Sequence, residues 1–299
     1  MSDFSANFKI QTREAALQQV TTGSVVSKDG TTIGFRQLGH GPGLIVLHGA
    51  ISSGYTHMQL ARALADFFTV YLVDRRGRGL SGPFGNDYTI QQEVDDLEAL
   101  LAKTDSHFVF GVSSGAIIAL QAALILPAVH KVAIYEPPLL VNDPAAGLAR
   151  FDNEMARGKV AAAMVTAMLS AQMGPPIFNL LPRWLLEPLT NRMLSGEARN
   201  PSGEYITLQQ LAPTLHYDSQ LIVEMRDKLA SFHAIRIRVL LLGGSRSPAY
   251  LKAGLDTLET ILPQSERVQF AGLGHAASWN SDRGGRPGPV AQALGQFFA

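Results

Sequence analysis

At 299 residues, 46% of them hydrophobic, the chain is long enough for one large α/β domain with an insertion, or for two ordinary domains. Lys plus Arg and Asp plus Glu number 25 each, so no charge excess selects nucleic acid or an anionic membrane surface as a partner, and a small molecule fits this balance. Cysteine is absent, which excludes disulfides, thiolate catalysis and cysteine-ligated metals. Residues 1–19 mix charges with short apolar stretches and lack the apolar core of a signal peptide, and no run approaches the roughly 20 apolar residues of a membrane span. The expectation is a soluble, cytoplasmic protein.

Apolar runs alternate with helical patterns as repeated β-α units. Segments 25–27 and 32–36, separated by Asp29-Gly30, predict an opening hairpin. Segment 44–47 reads as a short buried strand, 55–66 as a helix on the spacing of Met58, Leu60, Ala61 and Leu64, and 68–73 as the next strand. Thr89-Ile90-Gln91-Gln92 is a capping-box signal for a helix to about Leu101, with Val94, Leu97, Leu100 and Leu101 on one face. A strand at 108–112 runs into a helix that stops before Pro127, and a strand at 131–135 ends at Glu136-Pro137-Pro138. This alternation predicts a parallel sheet covered on both faces.

From 139 to 233 the sequence turns helix-like and Met-rich, broken by Pro175-Pro176, Pro182, Pro188 and Pro213. Strand, helix, strand and helix signals then resume at 238–242, 250–261, 267–270 and 289–298. The domain reading is one core, residues 20–138 and 234–299, interrupted by a helical cap insertion, 139–233. A block inserted there can sit over the strands' C-terminal edge, where ligands of open α/β sheets bind, and it is read as a cap.

The chemistry centres on Gly111-Val112-Ser113-Ser114-Gly115, which joins an apolar strand to an apolar, small-residue helix. A strand that turns abruptly into a helix forces the serine into a strained conformation, and Gly111 and Gly115 leave room for the two elements to pass closely. Ser113 is the candidate nucleophile, and the Ser114 N–H at the helix start points at a developing oxyanion. Gly41 to Ala50 forms a second strand-to-loop transition through His48-Gly49. It supplies the second oxyanion donor, the N–H of Ala50 with that of Ile51 as alternative, while His48 is read as a brace for the loop. The base is His275, in the glycine-flanked loop Gly272-Leu273-Gly274-His275 after the last strand. The other seven histidines lack metal-ligand spacing.

The His48-Gly49-Ala50 loop, Asp74-Arg75-Arg76-Gly77-Arg78-Gly79-Leu80-Ser81, the Gly111–Gly115 elbow and the His275 loop stand in the order of the α/β-hydrolase fold, and the chain resembles its capped, single-domain enzymes. The resemblance implies an eight-stranded, mostly parallel sheet, a helical cap and a Ser–acid–His triad. In most such enzymes the acid follows the strand after the cap, and here that place, Leu241 to Tyr250, holds no carboxylate. Asp256 comes next but lies inside a predicted helix. Glu136, ending the strand after the nucleophile's helix, stands where the resembling haloalkane dehalogenases sometimes carry the acid. Glu136 is therefore the expected partner of His275, and Pro137 is expected to keep it extended.

Gly77-Arg78-Gly79-Leu80-Ser81-Gly82 formally matches a dinucleotide fingerprint, but a loop follows where the fingerprint needs a helix, so no cofactor is expected. Asp74 and its arginines are read as knitting that loop together, and no metal cluster is expected. Met155, Met164, Met168, Met173, Met193 and Met225, with Phe178 and Trp184, either line an adaptable pocket or pack a small core of the insertion. The expected function is a cofactor-free serine hydrolase acting on an ester or lactone of a largely apolar small molecule. C–C bond hydrolase, perhydrolase or lyase chemistry on the same fold, or non-catalytic ligand binding, are the alternatives. A serine at the elbow argues against dehalogenase and epoxide hydrolase chemistry, whose nucleophile is a carboxylate.

Overall fold

The computed structural model describes residues 19–173, 178, 180–199 and 204–299. The N-terminal stretch 1–18 and the Pro175-Pro176 breaker lie outside them. Strands β1 (Thr21–Val26) and β2 (Thr32–Gly39) form the expected antiparallel hairpin, with β1 beginning four residues earlier than the sequence pattern suggests. Then β3 (Gly43–Leu47), β4 (Thr69–Val73), β5 (Phe108–Val112), β6 (Lys131–Tyr135), β7 (Arg238–Gly244) and β8 (Ser265–Phe270) run parallel. The order across the sheet is β1-β2-β4-β3-β5-β6-β7-β8.

The parallel strands read as unbroken apolar runs because both faces are buried. Ile45, Leu47, Val109, Val132, Ile134 and Leu241 face one core, while Leu44, Val46, Phe110, Val112, Ala133 and Leu242 face the other. Helices α2 (Ile90–Thr104) and α3 (Ser114–Ile125) cover the first face, and α1 (Met58–Leu64) covers the second. Thr89 caps α2 as its sequence predicts. Its Oγ1 accepts from the Gln91 N–H at 3.3 Å, and the Gln92 Oε1 accepts from the Thr89 N–H at 2.9 Å.

Between β6 and β7 the described residues are helical. They include α4 (Pro144–Ala156), α5 (Val160–Ser170), α6 (Arg183–Arg199) and α7 (Leu215–Met225), and no strand is found among them. Phe151, Ala163 and Leu215 form a small core of this segment that also packs Met155, Met164 and the Ala50-Ile51 turn. Helix α8 (Ala249–Ile261) then packs on the first face, and α9 (Pro287–Phe298) on the second.

Register sets up the site. Leu47 lies beside Val73 and Gly111, Val112 beside Tyr135, and Tyr135 beside Leu242. The strand ends are therefore level, and the loops that begin at His48, Asp74, Ser113, Glu136 and Ser245 emerge along one rim. A cavity of about 1250 Å³ lies between this rim and the inserted helices. Among the described residues no helix is long and apolar enough to cross a membrane.

Candidate active site

Ser113 occupies a strand-to-helix turn at φ 55° and ψ −121°, a region that costs a non-glycine residue about 1–3 kcal/mol. Its neighbours hold it there. The Ser113 N–H donates to the Tyr135 carbonyl at 2.9 Å, and its own carbonyl accepts from the Ala116 N–H at 2.9 Å. The glycines serve close approach, as expected. A Cβ on Gly111 would lie 2.4 Å from the Gly115 carbonyl oxygen, and one on Gly115 would lie 2.4 Å from that of Leu47.

His275 reaches the same cavity from the loop after β8, and Ser113, Ala50 and His275 all line it. The His275 Nδ1 is 2.8 Å from Glu136 Oε2, and Glu136 is fully buried. A carboxylate only accepts, so Nδ1 carries the ring proton and Nε2 is left as the basic nitrogen. Glu136 Oε1 accepts from the Gly244 N–H at 2.6 Å, which pins the carboxylate between β6 and β7. No hydrogen bond joins Ser113 to His275 among the described residues.

Glu136 is not extended, contrary to the expectation from Pro137: its φ is 46°, in the left-handed region. The turn carries a strain of about 1–3 kcal/mol, and the hydrogen bonds from Gly244 and His275 hold it in place. Asp256 lies on α8 with its side chain exposed and ion-paired with Arg267, away from the cavity lining.

Both candidate oxyanion donors stand on this rim. Ser114 is the first residue of α3, so its N–H has no carbonyl four residues back to bond. Ala50 precedes Ile51, whose φ of 50° marks a second strained turn on the cavity wall. His48 acts as the brace that its position suggests. Its Nδ1 lies 2.8 Å from the Gly49 carbonyl, and its Nε2 accepts from the Arg75 N–H at 3.2 Å. Burial, reinforced by Arg78 and Arg75, holds its pKa well below the usual histidine range, so the ring is neutral.

Sequence reasoning missed a buried charge network behind the His48-Gly49-Ala50 loop. Asp218, on α7 and 2% exposed, accepts from Arg75 Nη1 and Ser114 Oγ, both at 2.8 Å, and pairs with Arg78. Arg75 also grips Glu93 with two hydrogen bonds, at 2.7 and 3.1 Å. Burial pushes the Asp218 carboxyl up, but Arg78 and Arg75 outweigh it and hold its pKa below the ordinary value. Asp74 knits the glycine loop as expected, its carboxylate accepting from the Gly54 and Leu80 N–H groups and from Arg36. Of the methionines, Met164, Met168 and Met173 line the cavity. Met225 is packed in the main core, and Met193 and Trp184 are exposed.

A mostly parallel sheet of this order, with a serine elbow after its fifth strand, defines an α/β-hydrolase fold. A sequence model of the alpha/beta hydrolase family matches residues 44–293, and the chain belongs to that family. The pimeloyl-[acyl-carrier protein] methyl ester esterase of Xanthomonas oryzae pv. oryzae is 26% identical over 267 residues, spanning 88% of this chain and 97% of that relative. The uncharacterized hydrolase YraK of Bacillus subtilis is 34% identical over 116 residues, which is 37% of this chain and only 43% of that relative's length. Among solved structures, an alpha/beta hydrolase from Sphaerobacter thermophilus matches with a TM-score of 0.75 at 29% identity, covering 93% of this chain and 100% of that one. An esterase from Exiguobacterium antarcticum shares the fold at 16% identity, with a TM-score of 0.62 over 91% of this chain and 97% of its own.

Proposed function

We propose that this protein is a serine hydrolase that cleaves an ester or lactone bond of a largely apolar small molecule through an acyl-enzyme, with residues 139–233 as its cap. The observation that carries the reading is the strained Ser113 elbow facing the same cavity as a histidine whose Nδ1 is held by a buried carboxylate. Ser113 Oγ attacks the carbonyl carbon while His275 Nε2 takes its proton. Glu136 fixes the tautomer and stabilises the imidazolium. The Ala50 and Ser114 N–H groups receive the oxyanion. Protonated His275 gives its proton to the leaving oxygen, and the same base then activates water to release the acid.

Phe151, Met164, Met168, Leu215 and Ile222 give the cavity its apolar walls, which favours an apolar acyl or alcohol group. The ester-cleaving relative at 26% identity supports the same bond type.

The test is fluorophosphonate labelling followed by a panel of short, long and cyclic esters, with Ser113→Ala as the blank. Labelling at Ser113 and turnover that the blank lacks are expected. Glu136→Gln should lower kcat by about 10⁴-fold, the scale of losing the acid's role in a triad, while Asp256→Asn should change it less than twofold. An unlabelled serine in folded protein, or collapse with Asp256→Asn but not with Glu136→Gln, overturns the assignment.

A further inference from the structure

We infer that the loop after β7 is an anion-recognition subsite, so that the substrate is an ester whose apolar body carries a carboxylate or a similar anionic group. This deepens the hydrolase reading and rests on it for the reaction.

The charges that line the cavity carry the inference. Among the described residues they belong to Asp218, Arg246 and Arg286, with the titratable ring of His275 beside them. Asp218 is already matched by Arg75 and Arg78. His275 is matched by Glu136, whose other oxygen is held by the Gly244 N–H. Arg246 and Arg286 are exposed on the cavity lining, and among the described residues neither guanidinium has a hydrogen bond or an ion pair. The cavity therefore presents two uncommitted cations in a chain whose net charge is zero.

The loop that presents Arg246 is firmly built. Its N–H donates to the Leu273 carbonyl at 2.9 Å, tying it to the chain two residues before His275. The next residue, Ser247, also lines the cavity and is 4% exposed, and its hydroxyl has no hydrogen-bond partner among the described residues. An unmatched buried hydroxyl is costly to leave and is relieved by an acceptor oxygen. The Arg246 guanidinium fork suits a carboxylate, which offers two acceptor oxygens, and the unspent hydroxyl belongs to the next residue in the chain. The triad's placement permits this arrangement. With the carboxylate supplied by β6, the turn after β7 is free of that duty and carries Ser245-Arg246-Ser247 instead.

The probes are the 4-nitrophenyl half-ester of octanedioic acid and its methyl-capped counterpart, which differ in one negative charge. Wild-type protein is expected to show kcat/KM about tenfold higher for the half-ester, carried by KM and reduced in 0.5 M salt, as for a charge-assisted contact at a partly exposed site. Arg246→Gln with Arg286→Gln should bring the half-ester to capped-ester ratio close to one, and Arg246→Lys should retain most of it. Binding is read separately. Ser113→Ala protein, titrated calorimetrically with the monomethyl and dimethyl esters of octanedioic acid, should prefer the anion by a similar factor. A wild-type ratio near one, or a ratio unchanged in the double variant, overturns the subsite. Loss of Ser113 labelling with the binding preference intact overturns the hydrolase reading alone.

Discussion

Asp218→Asn isolates the buried network behind the His48-Gly49-Ala50 loop while keeping side-chain shape. The substitution removes the carboxylate that pairs with Arg75 and Arg78 and accepts from Ser114. Arg75 keeps Glu93, but Arg78, whose side chain is fully buried, is left without a carboxylate, and its Nε and Nη1 already have no partner among the described residues. Removing one partner of a buried ion pair costs about 3–5 kcal/mol. At about 2–4 °C per kcal/mol for a large domain, the melting temperature at pH 7 should fall by about 6–20 °C.

The pH dependence has a definite sign. The folded pKa of Asp218 is depressed below the ordinary value of 3.8, so its contribution is present above that value and is lost as pH falls through the folded pKa. Melting curves by circular dichroism should show the gap between wild type and variant at pH 7 closing in acid. Adding Arg78→Met to Asp218→Asn should recover part of the loss by removing the orphaned charge. A gap under about 2 °C at pH 7, against the several kcal/mol expected for a broken buried pair, or a gap that persists in acid, would refute this account of what ties α7 to the core.

His57 is fully buried, its Nδ1 lies 3.1 Å from the Ser278 carbonyl, and burial lowers its pKa from 6.5 to about 4. The unfolded chain takes up a proton near 6.5 that the folded protein resists, so stability falls as pH drops from 6.5 to about 4. This one group accounts for about 3 kcal/mol of that loss, and His57→Asn should flatten the curve of melting temperature against pH over that window. A Cβ on Gly49 would stand 2.7 Å from the Ser113 Cβ, so Gly49→Ala should displace Ser113, the proposed nucleophile, and lower kcat about 100-fold; turnover within twofold of wild type would count against the elbow's tight fit. Thr89→Ala removes the cap of α2 and should cost about 1 kcal/mol in denaturant unfolding with no change in the slope.

Local pattern made most of the core legible. The strands from β3 to β7 begin or end within two residues of where apolar runs place them, because a strand buried on both faces must be apolar along its whole length. The Thr89 capping box and the glycines of the elbow were equally readable, since each answers a demand of the backbone within a few residues. Glu136 was legible as a candidate by its place at a strand end, but its left-handed φ was not, because carboxylate contacts from Gly244 and His275 outweigh the local preference before proline.

The order of strands, loops and chemistry-bearing residues was thus determined by the sequence itself, through apolar periodicity and the steric needs of a few glycines. Tertiary structure alone decided the left-handed backbone from which Glu136 meets His275, and the partnership of Asp218 with arginines 140 and 143 residues away. Local pattern carries no record of that network, because it forms only when an inserted helix brings its buried carboxylate onto arginines of a loop at the strand ends.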